Sequence, residues 1–148
     1  MIGKIRHAPG TIASFATCVV FIFLVNFFTI NLIFLITLII FCYSFIAINN
    51  SFDEFDADDP QEIVIDEVVG QMLTLLAIPI YETLYPLPTM YYCLAAFLLF
   101  RLFDIWKPYP VSYVDKNIKG SIGIMLDDIT ASIYSIVVFS IILFFLGG

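Results

Sequence analysis

The chain alternates between long uncharged runs and short charged segments. No charged side chain occurs between His7 and Asp53, a stretch long enough for two membrane spans of about 20 residues each. The polar-flanked residues 26–31 predict a turn between those two spans. The apolar runs that we predict to be helical cover residues 12–25, 32–48, 68–81, 83–100 and 129–148.

Three of these runs are short for a membrane crossing. Residues 12–25 and 32–48 predict a thin or tilted hairpin, because a full span needs about 20 residues. Residues 68–81 either cross once or dip into the membrane and return, and both alternatives stay open. The segment 101–128, which carries four of the six basic residues, is predicted to be a loop.

The composition indicates a membrane protein. Hydrophobic residues make up 61% of the 148 residues and charged residues only 13%, whereas a soluble domain contains about 25% charged residues. We predict one all-α membrane domain over residues 1–148, with four or five transmembrane or membrane-embedded helices. The net charge of −7 argues against a nucleic-acid partner, and nothing in the sequence indicates a protein partner.

The distribution of charge predicts the orientation in the membrane. If each run crosses once and the N-terminus is inside, every charged residue except Glu82 lies on one face. All six basic residues then share that face, which the positive-inside rule makes cytoplasmic. We therefore expect a cytoplasmic N-terminus and a C-terminus on the outer side.

Four of the runs carry polar side chains at helical spacing near the predicted cytoplasmic end. Residues three, four or seven positions apart share one face of a helix, and in lipid a polar face turns inward. The stripes therefore predict one polar pocket at the cytoplasmic surface. They comprise Thr11, Ser14 and Cys18; Glu67, Gln71 and Thr74; Arg101, Asp104 and Lys107; and Asp128, Ser132 and Ser135.

Two adjacent acidic pairs, Asp66–Glu67 and Asp127–Asp128, are the main candidates for chemistry. Taken alone, each pair is also explained as helix capping, because carboxylates stabilise a helix N-terminus. Together with Asp104 they form three carboxylate clusters with too few cations to neutralise them, which predicts a bound Mg²⁺ or another hard cation. We expect one ligand from each pair, with the other member outside the ligand shell.

The two cations near Asp104 have two interpretations. On a continuous helix Arg101 and Lys107 would lie about 120° apart, flanking Asp104 and facing a phosphate. Alternatively they anchor the helix at the membrane interface, as long cationic side chains commonly do. The acidic run 53–62 is predicted to be a solvated loop, and residues 120–123 (GSIG) form either a turn or an amide nest for phosphate.

Four sequence blocks resemble the phosphatidylglycerophosphatase A family and occur in the family's order. They are APGTIAS (8–14), DPQEIVIDEVVGQ (59–71), FRLFDIWKPYPV (100–111) and GSIGIMLDDITAS (120–132). The resemblance implies a Mg²⁺-dependent bacterial inner-membrane enzyme of phospholipid biosynthesis. Such an enzyme hydrolyses the terminal phosphate of phosphatidylglycerophosphate, releasing phosphatidylglycerol and inorganic phosphate at the cytoplasmic face. Ala13 and Ala131 stand where the family favours glycine, which bears on helix packing.

The resemblance also implies roles for individual residues. The implied metal ligands are Asp66, Glu67, Asp104, Asp127 and Asp128. The implied catalytic residues are Asp66, Asp104, Lys107 and Asp127. The implied phosphate-binding residues are Arg101, Lys107, Thr11 and Ser14.

Several alternatives stay open at this point. The nucleophile is either a metal-polarised water or an aspartate, Asp104 or Asp127, that forms an aspartyl-phosphate. A small cation transporter or channel subunit would also explain intramembrane carboxylates, although not the Arg–x–x–Asp–x–x–Lys element. A CDP-alcohol phosphotransferase is a second enzyme alternative, but the D-G-x-x-A-R pattern of that class is absent.

Overall fold

The computed structural model describes residues 9–54, 64–118 and 120–147, and these ranges are helical with short connections. This confirms the predicted all-α class. The helices are α1 (Pro9–Phe27), α2 (Ile30–Glu54), α3 (Ile65–Leu75), α4 (Ile78–Leu84), α5 (Thr89–Trp106), α6 (Val111–Asn117) and α7 (Gly120–Gly147).

Four of these helices are long and apolar enough to cross a membrane: α1, α2, α5 and α7. Large apolar side chains cover the outside of the bundle, and Phe23 and Phe145 are 63% and 77% exposed. Contiguous apolar surface on this scale is rare in soluble monomers and suits contact with lipid. Hydroxyl groups within the helices, such as those of Thr17 and Thr37, bond to the carbonyl oxygen four residues earlier.

One predicted boundary between helices is confirmed, and two predictions about the apolar runs and the loops between them are wrong. The turn between the first two helices is confirmed, since α1 ends at Phe27 and α2 begins at Ile30. The prediction of a thin hairpin is wrong, because α1 has 19 residues and α2 has 25. The prediction of a loop over 101–128 is wrong beyond α5, because the segment also holds all of α6 and the start of α7. The end of α5 at Trp106 agrees with the helical spacing of Arg101 and Asp104.

The short run 68–81 lies in a broken helix formed by α3 and α4. At the middle of α3, a Cβ atom at Gly70 would lie 3.0 Å from Cβ of Asp128 on α7. Beyond the end of α4, the ring of Tyr85 occupies the space beside Gly147, the last described residue of α7. The pair therefore follows α7 along its length, which supports a crossing rather than a return to the same face.

Helix α3 lies at the centre of the bundle and contacts α1, α2, α5 and α7. Gly10 at the start of α1 lies against Glu67 at the start of α3. Further along, Phe21 and Leu75 belong to one buried cluster, so α1 and α3 run in the same direction. Aromatic side chains including Tyr92 and Phe139 complete this cluster. The end of the bundle away from this apolar cluster, where α1 and α3 begin, is polar.

Candidate active site

Five buried or half-buried carboxylates meet at the end of the bundle where α1, α3 and α7 begin and α5 ends. They form two groups of three, and within each group one oxygen from every residue lies within 4.8 Å of the others. One group is Asp66, Glu67 and Asp128, and the second is Asp104, Asp127 and Asp128. The carboxylates that the sequence singled out are therefore brought together, with Asp128 common to both groups.

These carboxylates are poorly solvated. Asp66, Asp127 and Asp128 are 9%, 7% and 4% exposed. Within the described ranges, the buried side-chain atoms that have no hydrogen-bond partner all lie at this end of the bundle. They belong to Ser14, Asp66, Glu67, Gln71, Asp127, Asp128 and Arg101, whose guanidinium lies against a carboxylate without hydrogen-bond geometry. Four of these atoms are carboxylate oxygens, on Asp66, Glu67, Asp127 and Asp128. A buried acceptor without a partner is costly, so these oxygens are available to a cation or to a hydrogen-bond donor.

Two glycines allow the helices to approach closely enough to form the cluster. A Cβ atom at Gly10 would overlap a carboxylate oxygen of Glu67, so glycine lets α1 pass directly over that side chain. A Cβ atom at Gly70 would lie 2.8 Å from the ring of Phe100 and 3.0 Å from Cβ of Asp128. Gly70 therefore sets the distance between α3 and α7.

Two cationic side chains border the cluster on the side of α5. Arg101 Nη1 lies 2.6 Å from Oδ2 of Asp104. The ammonium of Lys107 contacts the carboxylates of Asp115 and Asp127. Burial alone would lower the pKa of Lys107, but the hydrogen bonds to these two carboxylates outweigh it and hold the pKa above its ordinary value. Lys107 therefore places a cationic side chain at the edge of the site.

The predicted arrangement of Arg101 and Lys107 around a helix is wrong. Helix α5 ends at Trp106, and Lys107 has a left-handed backbone with φ of 47°. Pro108 follows and prevents the helix from continuing. Lys107 consequently reaches Asp127 on α7, while Arg101 pairs with Asp104 on its own helix.

The acidic pairs also differ from their predicted roles. Asp127 and Asp128 do not cap a helix, because α7 begins seven residues earlier at Gly120 and carries them two turns into its interior. Residues 120–123 are accordingly part of α7. Asp66 and Glu67 do lie in the first turn of α3. Both members of each pair belong to one of the two carboxylate groups, and the expectation that each pair supplies one metal ligand stays a prediction.

The polar stripes converge as predicted and extend the site into the bundle. Ser14 and Gln71 are fully buried, each one turn deeper than Gly10 and Glu67 on the same faces. Below them, the hydroxyl oxygens of Thr74 and Ser132 lie 3.0 Å apart across α3 and α7.

The two predicted phosphate-binding hydroxyl groups differ in their exposure. Two residues of the site, Gln71 and Asp115, were not predicted as binding residues. Thr11 is half-buried at the rim, whereas the Ser14 hydroxyl is fully enclosed. Gln71 was recognised only as part of a stripe, although both its amide atoms are buried without partners. Asp115 was missed because nothing in its local sequence, VSYVDKN, indicates contact with Lys107. The acidic loop predicted over 53–62 lies largely outside the described residues, as do Lys4 and Arg6.

Comparison with known proteins identifies the family to which this site belongs. A family model described as Phosphatidylglycerophosphatase A matches residues 1–143. The chain belongs to the phosphatidylglycerophosphatase A family. This confirms the resemblance drawn from the sequence blocks, and it makes the protein an enzyme, a lipid phosphatase. The transporter and CDP-alcohol phosphotransferase alternatives are thereby disfavoured.

Two of three individual relatives carry the name of the family. A phosphatidylglycerophosphatase A from Haemophilus influenzae is 34% identical over 136 residues, covering 92% of this chain and 79% of the relative. One of the same name from Escherichia coli is 32% identical, covering 94% and 74%. A putative phosphatidylinositol-3-phosphatase from Bacteroides thetaiotaomicron is 33% identical, covering 95% and 86%. No solved structure matches the chain significantly.

Proposed function

We propose that this protein hydrolyses the terminal phosphate of phosphatidylglycerophosphate at the cytoplasmic face of the bacterial inner membrane. The observation that carries the proposal is the buried carboxylate cluster beside Arg101 and Lys107, in a chain of this family. The site lies at one end of a lipid-facing bundle, so a phospholipid could present its headgroup there while its acyl chains stay in the bilayer. The cytoplasmic assignment rests on the positive-inside rule.

The donor set of this site fits Mg²⁺. All five candidate ligands, Asp66, Glu67, Asp104, Asp127 and Asp128, offer carboxylate oxygens, which are the ligands that hard cations prefer. Unpaired buried oxygens on Asp66, Glu67, Asp127 and Asp128 would gain a partner. When bound, Mg²⁺ supplies charge stabilisation for the phosphoryl group and makes water a stronger nucleophile.

The other side chains of this site can bind the phosphate and position the groups around it. Arg101 and Lys107 offer charged hydrogen-bond donors to the phosphate oxygens, which gain charge in the transition state. Each is held in place by a carboxylate, Arg101 by Asp104 and Lys107 by Asp127. Thr11 at the rim can donate a further hydrogen bond. The fully buried Ser14 is positioned to organise the floor of the site rather than its entrance.

The nucleophile can be water or a carboxylate of the cluster. In the water route, one carboxylate accepts a proton as the new phosphorus–oxygen bond forms, and the glycerol oxygen leaves with a proton. In the covalent route, Asp104 or Asp127 attacks phosphorus as the glycerol oxygen leaves with a proton, and water then attacks the phosphorus of the aspartyl-phosphate to release inorganic phosphate and restore the carboxylate. Hydrolysis of a substrate with a chiral ¹⁸O-labelled thiophosphate in ¹⁷O-labelled water separates the two routes, because one displacement inverts the configuration at phosphorus whereas two displacements retain it.

A substrate comparison tests the proposed function. Purified protein in detergent with Mg²⁺ is given phosphatidylglycerophosphate or phosphatidylinositol-3-phosphate, and phosphate release is measured for each. The proposal predicts a kcat/KM at least about tenfold higher for phosphatidylglycerophosphate, a difference worth about 1.4 kcal/mol. A preference for the inositol lipid, which the name of the Bacteroides relative makes a specific alternative, would contradict the substrate assignment.

A further inference from the structure

The division of the carboxylates into two overlapping groups has a consequence for how many cations the site can hold. Each group presents three oxygens within 4.8 Å of one another. Oxygen ligands around one Mg²⁺ lie about 3–4 Å apart, given metal–oxygen distances of about 2.1 Å. Either group could therefore close around a cation with small side-chain movements. The groups meet only at Asp128, whose carboxylate has two oxygens.

We propose that the site is a two-cation centre in which Asp128 bridges both ions. The first ion would be held by Asp66, Glu67 and Asp128, and the second by Asp104, Asp127 and Asp128. A carboxylate bridge of this kind matches the separation of about 3.5–4 Å between the ions of two-metal phosphoryl-transfer sites. The inference rests on the cation binding proposed above, but not on which lipid is the substrate.

The unpaired atoms provide evidence independent of the grouping itself. Asp128 is 4% exposed and its Oδ2 atom has no hydrogen-bond partner. Gln71, one turn below Glu67, is fully buried with both amide atoms unpaired. Buried polar atoms in folded proteins nearly always have a partner, so these groups point to ligands and ordered water at this place.

The charge of the cluster favours two cations over one. Asp115 shares Lys107 with the cluster, so six carboxylates exceed the two neighbouring cations by four negative charges. One divalent cation would leave the site negative, and a phosphate dianion would then be repelled. Two divalent cations balance the charge of the site before the substrate binds, which allows the dianion to enter without that repulsion.

The two positions differ in their surroundings, so they should differ in affinity. In the second group, Asp104 and Asp127 already contact Arg101 and Lys107. In the first group, neither Asp66 nor Glu67 contacts a cationic side chain in the part of the chain that the structure describes. The first group should therefore bind its cation more tightly. The second group, flanked by the phosphate-binding cations, should bind more weakly.

Titration with Mn²⁺, used as a paramagnetic substitute for Mg²⁺, tests this inference without any activity assay. Electron paramagnetic resonance measures free Mn²⁺ as it is added to the purified full chain in detergent. We expect two ions per chain in two steps, with a spin-coupled spectrum when both are bound. Saturation at one ion per chain would overturn the inference.

Variants assign each step to its group. Glu67→Gln should weaken the tighter step at least about tenfold and leave the weaker one. Asp104→Asn should do the reverse, and Asp128→Asn should impair both. Glu82→Gln, at the other end of the bundle, is the matched control and should bind two ions like the parent. If Glu67→Gln and Asp104→Asn impair the same step, the proposed division is wrong.

The titration tests the two-cation centre and the substrate assay tests the proposed substrate, so either proposal can be contradicted while the other stands. Two bound Mn²⁺ ions in a protein that does not hydrolyse phosphatidylglycerophosphate would contradict the proposed substrate and leave the two-cation centre standing. Efficient hydrolysis of that lipid by a chain that binds one ion would contradict only the two-cation centre.

Discussion

The ammonium of Lys107 contacts the carboxylate of Asp115, which lies eight residues later on α6. The same ammonium contacts Asp127 on α7, so Lys107 joins the short helix α6 to the carboxylate cluster. Lys107 directly follows the last residue of α5 and has a left-handed backbone, which aims its side chain back over the site. The role of Lys107 can therefore be tested by substitution of Lys107 itself and of Asp115.

Lys107→Ala should lower turnover by about 10²-fold, the loss typical of removing one preorganised charge-stabilising donor. Cation affinity should not fall, because an ammonium is no ligand. The weaker binding step should tighten, because removal of Lys107 leaves the carboxylate of Asp127 without its cationic partner. Phosphate-release kinetics and Mn²⁺ titration measure the two effects. Lys116→Ala, which removes an exposed lysine from α6, is the control. Parent-like turnover in Lys107→Ala would mean that Lys107 is only an interfacial anchor.

Asp115→Asn should lower kcat about two- to fivefold, because Asp115 is a positioning residue that acts through Lys107. The effect is small because the Asp115 side chain is 41% exposed, and exposed ion pairs are worth about 0.2–1 kcal/mol. The decisive measurement is a double-mutant cycle. Asp115→Asn should have no further effect in the Lys107→Ala background. An equal loss in both backgrounds would show that Asp115 acts independently of Lys107.

Gly70→Ala should destabilise the bundle by about 1–3 kcal/mol, the usual cost of overpacking a close contact. The new methyl group would meet the ring of Phe100 at 2.8 Å and Cβ of Asp128 at 3.0 Å, forcing α3 away from its neighbours. Mn²⁺ affinity should fall in parallel, because Asp66 and Glu67 move with α3. Thermal unfolding in detergent is the readout. Ala16→Val, on an exposed position of α1, should change little.

The orientation in the membrane is also open to a direct test. A cytoplasmic N-terminus and five crossings, counting the broken helix α3–α4 as one, place the C-terminus outside. An alkaline phosphatase fusion after Gly148 should be active and a green fluorescent protein fusion dark. The opposite pattern would contradict the orientation, and it would favour a return of α3–α4 to the cytoplasmic face.

The sequence predicted those features that depend on hydrophobicity and helical spacing alone. The all-α class, the turn before Ile30 and the convergence of Asp66, Asp104 and Asp128 all follow from where apolar and polar residues recur. These features do not depend on detailed backbone geometry. They follow from the cost of exposing polar groups to lipid, which sequence position reveals directly.

The remaining features depend on tertiary contacts that sequence spacing does not encode. Asp127 and Asp128 resembled the start of a helix because charged residues normally mark the edge of an apolar run. The start of α7 at Gly120 carries them into the interior, where they meet carboxylates from α3 and α5. The left-handed backbone of Lys107 redirects its side chain towards α7, and that turn also brings Asp115 within reach.

The most direct test of the central claim is phosphate release from phosphatidylglycerophosphate by the purified protein in detergent. The measurement compares excess Mg²⁺ with excess EDTA, and the parent with Asp128→Asn. A carboxylate-held Mg²⁺ centre predicts activity that disappears in EDTA, returns when Mg²⁺ is restored, and is lost by at least about 10²-fold in Asp128→Asn. Full activity in excess EDTA, or in Asp128→Asn, would contradict the account.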